Sequence, residues 1–181
     1  TEHRTMGHRI EIMSGEHGRQ RARHLLDTVW SAEVLAALPW KEVVWANAHS
    51  RILVFDGRDD VIAHAALHLR DATLDAGPVR ICGVGDVATH PDCRGQGLAG
   101  ELMRRAVTEM RDTHGVDFGL LFCEPRYAPL YKELGWRAFD GEVHAEQPRQ
   151  GRIRFGVIDP FVFDLMMAPR VGMLDLCGLP W

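Results

Sequence analysis

The chain has 181 residues, of which 46% are hydrophobic and 25% charged, with a formal net charge of −4. That balance is globular, shows no sign of disorder, and gives no general reason to bind nucleic acid or an anionic membrane. The length suits one well-buried domain over residues 1–181 and is short for two. No apolar run is long enough to span a bilayer, and the polar lead "TEHRTMGHRIEIM" lacks the apolar core of a signal peptide. A cytoplasmic protein is therefore expected. Met6 sits inside that lead, which leaves open whether residues 1–5 are native, and residues 1–7 are expected to form a flexible arm. The four cysteines, Cys82, Cys93, Cys123 and Cys177, include no C-x-x-C pair, which argues against a zinc cluster or a disulfide scaffold.

In chain order, "HRIEIM" alternates and reads as a first strand. Residues 18–38 read as one or two helices, with Leu25, Leu26, Val29, Trp30 and Val34 at helical spacing. "SRILVFD", "VIAHAALHLRDATL" and "VRICGVGDVAT" are strands joined by the turns "GRDD" and "DAGP", an antiparallel meander. A helix from Gly97 to about His114 follows, with Leu98, Leu102, Ala106 and Met110 along one face. The apolar strand "DFGLLFCE" after it is expected to pair in parallel with its predecessor, because a strand, helix, strand run of this length is a crossover. "RYAPLYKELGW" reads as a short helix ended by Gly135, and "WRAFDGEVHAE" and "RIRFGVIDPFVFDL" as a final antiparallel pair. The result is an α/β fold with a mixed sheet of six or seven strands and about four helices, without the repeated βαβ units of a Rossmann fold.

The stretch "RGQGLAG" opens a helix with poor helix formers. First-turn N–H groups have no intrahelical partner and carry the positive end of the helix dipole, so glycines there allow close approach of a phosphate, which Arg94 could also contact. The same glycines also suit a tight strand-to-helix turn. Spacing alone leaves both readings open, and neither a P-loop nor G-x-G-x-x-G is present.

The segment "VGDVATHPDCRGQGLAGELM" closely resembles the acetyl-CoA-binding motif of the GNAT superfamily of N-acetyltransferases, Q/R-x-x-G-x-G/A after a strand ending in a V-A-V-like segment. Arg94, Gly95, Gln96, Gly97, Leu98 and Ala99 fill the motif in order, and the predicted element order matches that fold. The resemblance implies acetyl-CoA as cofactor. Backbone N–H groups from Gly95 to Gly100 would bind its pyrophosphate, and main-chain groups around Val87, Ala88 and Thr89 would pair with the pantetheine arm. It also implies that the fourth and fifth strands splay around the thioester, with Gly83 and Gly85 compatible with a bulge where they part.

Acetyl transfer to an amine needs a neutral nucleophile, a polarised carbonyl and a proton for the departing thiolate. The resemblance gives the backbone N–H of Val87 to the carbonyl and Tyr131, in "PLYKELGW", to the proton. Asp86 is the first candidate for the base and Glu124, at the end of the fifth strand, the second. Asp86 lies just before "VAT", where many enzymes of the family carry a glutamate. The family's aminoglycoside-acetylating members carry their acid one position earlier, where this chain has Gly85, so against that pattern Asp86 faces the intended side only if a bulge breaks the alternation. An acetyl-cysteine route through Cys123 is disfavoured, since no motif ties a histidine to it. His64 and His68 lie about 13 Å apart along a strand, too far for one metal ion; they are expected at the surface or lining substrate, and no metal is expected.

A closer likeness, from about Val61 to Trp181, is to the aminoglycoside 2′-N-acetyltransferases, kasugamycin enzymes among them. It implies a cationic small-molecule amine as partner, with Asp86, Glu124, Asp175 and Trp181 (its terminal carboxylate and indole) around it. The expected outcome of such a reaction is antibiotic resistance. Other readings are acetylation of another small or protein amine, or a non-catalytic acyl-CoA-binding module. Dimerisation through the C-terminal strands, frequent in the family, is left open.

Overall fold

A computed structural model describes residues 7–181; apart from Gly7, the expected flexible arm lies outside them. The chain opens with β1 (Arg9–Ser14), α1 (Gly15–Val29) and α2 (Ala32–Ala37). Each of these helices begins where a serine hydroxyl takes up a first-turn N–H: Ser14 accepts from His17 and Ser31 from Val34, both at 3.3 Å. The meander follows as β2 (Ser50–Phe55), β3 (Val61–Leu74) and β4 (Gly77–Thr89), with Asp75 and Ala76 at positive φ in the second turn. The crossover helix α3 (Leu98–Thr108) ends in a π-helical turn over Glu109–His114, closed by Gly115, and leads into β5 (Phe118–Cys123). The fourth helix, α4 (Ala128–Glu133), comes next.

β4 and β5 pair in parallel, as the crossover requires. The remainder differs from the sequence reading. The expected final pair divides into β6 (Arg137–Ala138), β7 (Glu142–Gln147), β8 (Gly151–Arg154) and β9 (Asp159–Asp164), and a short β10 (Met173–Asp175) is added. The sheet therefore has ten strands, where six or seven were expected, in the order β6-β9-β5-β4-β3-β10-β7-β8, with β2 and then β1 branching from β3. The branch exists because β3 is long enough to serve two partners on one edge. β2 takes its first half, and β10 takes Thr73 and Leu74.

Hydrophobic faces on both sides of this sheet make the core. On one face, Leu98, Leu102, Met103, Ala106 and Met110 of the α3 region pack over Val54, Leu67, Val84 and Leu121. On the other face, Ala22 of α1 covers Leu53 and Phe55. Further along that face, Phe155 and Trp181 cover Ile81 and Leu120. No helix among the described residues is long and apolar enough to cross a membrane.

Candidate active site

The sheet comes apart between β4 and β5. Their pairing covers Ile81–Val84 against Phe118–Leu121 and stops there, while β4 continues to Thr89 and the end of β5 pairs with β9 alone. The edge of β4 from Gly85 to Thr89 is thus left without a strand on the β5 side. A bulge marks the parting. His64 faces Ala88 and Ala66 faces Gly85, so Asp86 and Val87 together oppose Ala65, and Asp86 sits at φ 49°. The bulge residue is Asp86 rather than either glycine suggested for it. Gly83 has a different reason: a Cβ there would lie 1.9 Å from Cε2 of Trp181.

The bulge breaks the alternation that otherwise turns Asp86 away. Its Oδ2 lies 3.7 Å from Nη1 of Arg51 on β2, a side chain packed against Gly18 of α1. Crowding by protein raises the Asp86 carboxyl above its ordinary range, an effect limited by the 57% of the side chain left open, and Arg51 and Arg19 pull it back. Arg51 is buried and donates from Nε to the carbonyl of Gly15 at 2.9 Å. Its Nη1 lies 3.1 Å from Nε2 of His64, and Nδ1 of His64 lies 2.8 Å from the carbonyl oxygen of Asp86. Neither His64 nor His68 is at the surface, which corrects one of the two settings expected for them. Burial holds His64 down at about 4 and His68 at about 3, so both are neutral at physiological pH.

Beyond Thr89 the chain turns through Pro91–Cys93 and reaches α3. Gly95 and Gly97 adopt φ of 78° and 77° with open space where a side chain would stand, so conformation rather than crowding selects glycine. No side chain caps α3, whose first turn follows the exposed Arg94 and Gln96. Arg94 makes no ion pair among the described residues. An unpaired strand edge running into an uncapped, arginine-flanked helix start fits an extended ligand with a phosphate at one end.

Tyr131 on α4 is 8% exposed and packs in the same core as Cys123 and Trp136. Burial, with Cys123 and Tyr127 nearby, raises its phenol well above the usual tyrosine range. Burial also pushes the thiols of Cys82 and Cys123 up to about 12 and about 11, so both remain protonated and poor nucleophiles. Glu124 accepts from Arg126 Nη2 at 3.1 Å. Asp175 is removed from the acceptor side: it pairs with Thr73, seven positions along β3 from the residue facing Gly85, roughly 20 Å away. Its carboxylate is bound by Arg152 at 2.6 Å and by the Cys177 N–H at 2.9 Å.

The Trp181 indole, expected to lie open to a sugar ring, is 6% exposed. It fills the space over Gly83, stacks on His68 at 5.5 Å and donates from Nε1 to the Leu120 carbonyl at 3.2 Å. Arg70 secures the segment before it, donating to the carbonyls of Leu176 and Leu179 at 2.9 Å each. Sequence reasoning passed over Arg51, Arg70 and Gln147. Gln147 bonds both the N–H and the carbonyl of Val44 and so ties the loop over 38–49 to β7. The available signal was a charged residue on the inward face of "SRILVF" and another within the alternation of β3.

A sheet parted around a free strand edge, an uncapped helix start and a buried phenol form the layout of a CoA-type acyltransferase. The chain belongs to the GNAT acetyltransferase family: the model described as "Acetyltransferase (GNAT) domain" matches residues 14–139. The fold is similar to that of the GNAT family N-acetyltransferase YhbS from Escherichia coli, solved in complex with CoA. The TM-score is 0.63 at 14% identity, covering 98% of this chain and 93% of that one. It is also similar to a GNAT family acetyltransferase from Brucella melitensis in complex with acetyl-CoA, with a TM-score of 0.51, 16% identity and coverage of 93% and 96%. Escherichia coli ElaA gives a TM-score of 0.63 at 12% identity, covering 87% of this chain and all of that one. No curated protein matches the chain.

Proposed function

We propose that this protein is an acetyl-CoA-dependent N-acetyltransferase that acetylates an amino group of an aminoglycoside. The observation that carries the cofactor is the continuity of the free β4 edge, Gly85–Thr89, with the uncapped start of α3. Val87, Ala88 and Thr89 hold the pantetheine arm as an added strand, and Arg94 with the N–H groups from Gly95 to Gly100 holds the pyrophosphate. Bound there, acetyl-CoA supplies the acetyl group as an activated thioester.

The chain's own groups do the rest. The Val87 N–H polarises the carbonyl oxygen. Asp86 takes the proton from the acceptor ammonium, directly or through water, and frees its lone pair. Tyr131 gives its phenolic proton to the departing sulfur; with its affinity raised by burial, that proton is always present at neutral pH. Asp86 is the best placed of the carboxylates, since Glu124 and Asp175 each accept a close arginine hydrogen bond while Asp86 meets Arg51 at 3.7 Å. The aminoglycoside acceptor rests on the resemblance of the chain from Val61 onward and on this carboxylate. A simpler primary amine is the second reading, favoured by the same observation: with Asp175 elsewhere, Asp86 offers one strong site for one ammonium.

Thiol release from acetyl-CoA, measured across an aminoglycoside panel that includes kasugamycin and across simple polyamines, tests both. Turnover with a sugar amine, and product acetylated at the 2′ position, is expected. Turnover confined to polyamines would leave the chemistry standing and replace the acceptor. No acetyl-CoA binding at all would overturn the reading.

A further inference from the structure

The peptide joining Asp86 to Val87 is where the bulge and the proposed chemistry meet. It is trans, as is every peptide in the described residues, so its carbonyl and its N–H point in opposite directions. The carbonyl is Asp86 O, held at 2.8 Å by Nδ1 of His64 on β3. The N–H is that of Val87, and it points away from β3, toward the edge that β5 has left.

The direction of every bond in this chain of contacts is fixed by chemistry. A guanidinium only donates, so Nε2 of His64, 3.1 Å from Arg51 Nη1, must present a lone pair. The neutral imidazole then carries its proton on Nδ1, where the Asp86 carbonyl accepts it. Arg51 is itself anchored by its Nε–H to the Gly15 carbonyl at the start of α1. The sequence is therefore α1 carbonyl, Arg51, His64, Asp86 carbonyl, with His64 0% and Arg51 6% exposed. The bulge gives it a task. A residue at φ 49° is outside the regular ladder, and its carbonyl needs another partner.

We infer that His64, with its tautomer set by Arg51, is a positioning residue that fixes the Asp86–Val87 peptide and aims the Val87 N–H into the gap where the acyl carbonyl is held. This rests on the acetyl-CoA reading above and adds two residues to it. His64 touches neither the acyl donor nor the acceptor; it acts through one peptide plane. Its loss lets that plane rotate, so the effect falls on the carbonyl contact and spares the phosphate and pantetheine contacts further along.

The test compares CoA with acetyl-CoA, which differ by the carbonyl in question. Calorimetric titrations of both into the wild-type protein, His64→Leu and His64→Asn separate the terms. His64→Leu should bind CoA as the wild type does and acetyl-CoA about 3- to 10-fold more weakly. Its kcat should fall about 10- to 100-fold with any acceptor the wild type uses. His64→Asn, which keeps an N–H near the Nδ1 position, should recover most of both. If His64→Leu does not fold, His64→Phe, which keeps a ring and removes the N–H, gives the same comparison. Equal weakening toward CoA and acetyl-CoA, or no change toward either, would overturn the inference and leave the acetyl-CoA reading intact. A wild-type protein that binds neither ligand would overturn that reading, and the inference with it.

Discussion

In the proposed chemistry Tyr131 and Asp86 have opposite tasks, and their surroundings separate them. Burial raises the phenol, which makes it a standing donor whose proton is needed only once charge builds on the sulfur. Tyr131→Phe removes that proton but keeps the ring's packing with Trp136. It should cut kcat about 100-fold with acetyl-CoA affinity nearly unchanged, and equal losses in both would make the residue a packing group. As the proposed base, Asp86 must be ionised. Its carboxyl is raised, so the active form is lost as pH falls through a value above the ordinary aspartate range, and kcat/KM should decline on that acidic side. Asp86→Asn should lower kcat/KM at neutral pH and abolish the limb. His64 and His68, already neutral with values near 4 and 3, add no limb between pH 5 and 8. A limb that persists in Asp86→Asn would move the base elsewhere.

At the scale of elements, what was legible depended on how locally each element is specified. β3 fell where the turns on either side put it, and the meander and the parallel crossover followed from turn chemistry and connection length. The start of α3 was legible because positive φ at Gly95 and Gly97 leaves a mark in sequence. β10 was not, because three residues become a strand only by lying between β3 and β7. The bulge at Asp86 was legible only as a possibility: its conformation is stabilised by Arg51 and His64, residues brought in by other strands. The role of Gly83 was also hidden, since its partner is nearly a hundred positions away in Trp181. That contact is testable by itself. Gly83→Ala would place a methyl 1.9 Å from the indole, expelling it from the Leu120 carbonyl, and should destabilise the fold by about 1–3 kcal/mol in chemical denaturation. Trp181→Ala should cost about 3–5 kcal/mol and raise the acceptor KM. An unchanged KM would make the indole structural only.

The whole molecule is a sheet that must stay open at one place without falling into two halves. The segment leading to Trp181 crosses between them. Its carbonyls take Arg70 of β3, the Ala46 N–H and the Glu146 N–H, while the indole reaches Leu120 on β5. His68 lies beneath the indole and His64 further along β3; the fold keeps both neutral, and this ties stability to pH. In the unfolded chain each titrates near 6.5; in the folded chain His64 and His68 titrate at about 4 and about 3. Below 6.5 the unfolded state therefore binds protons that the folded state refuses, and the stability present at neutral pH is lost as pH falls toward those lower values. Each histidine contributes up to about 2 kcal/mol of that loss between pH 7 and pH 5. His114, also lowered mainly by burial, works in the same direction, whereas the raised Asp86 carboxyl opposes it at the acid end. The clean measurement is consequently a difference. Urea denaturation at pH 7, 6 and 5 should show the wild-type midpoint falling steadily, and His64→Asn, which has no proton to take up, should show a shallower fall. Parallel slopes for the two proteins would mean that His64 is not held neutral, and the fixed tautomer on which the Asp86–Val87 peptide depends would go with it.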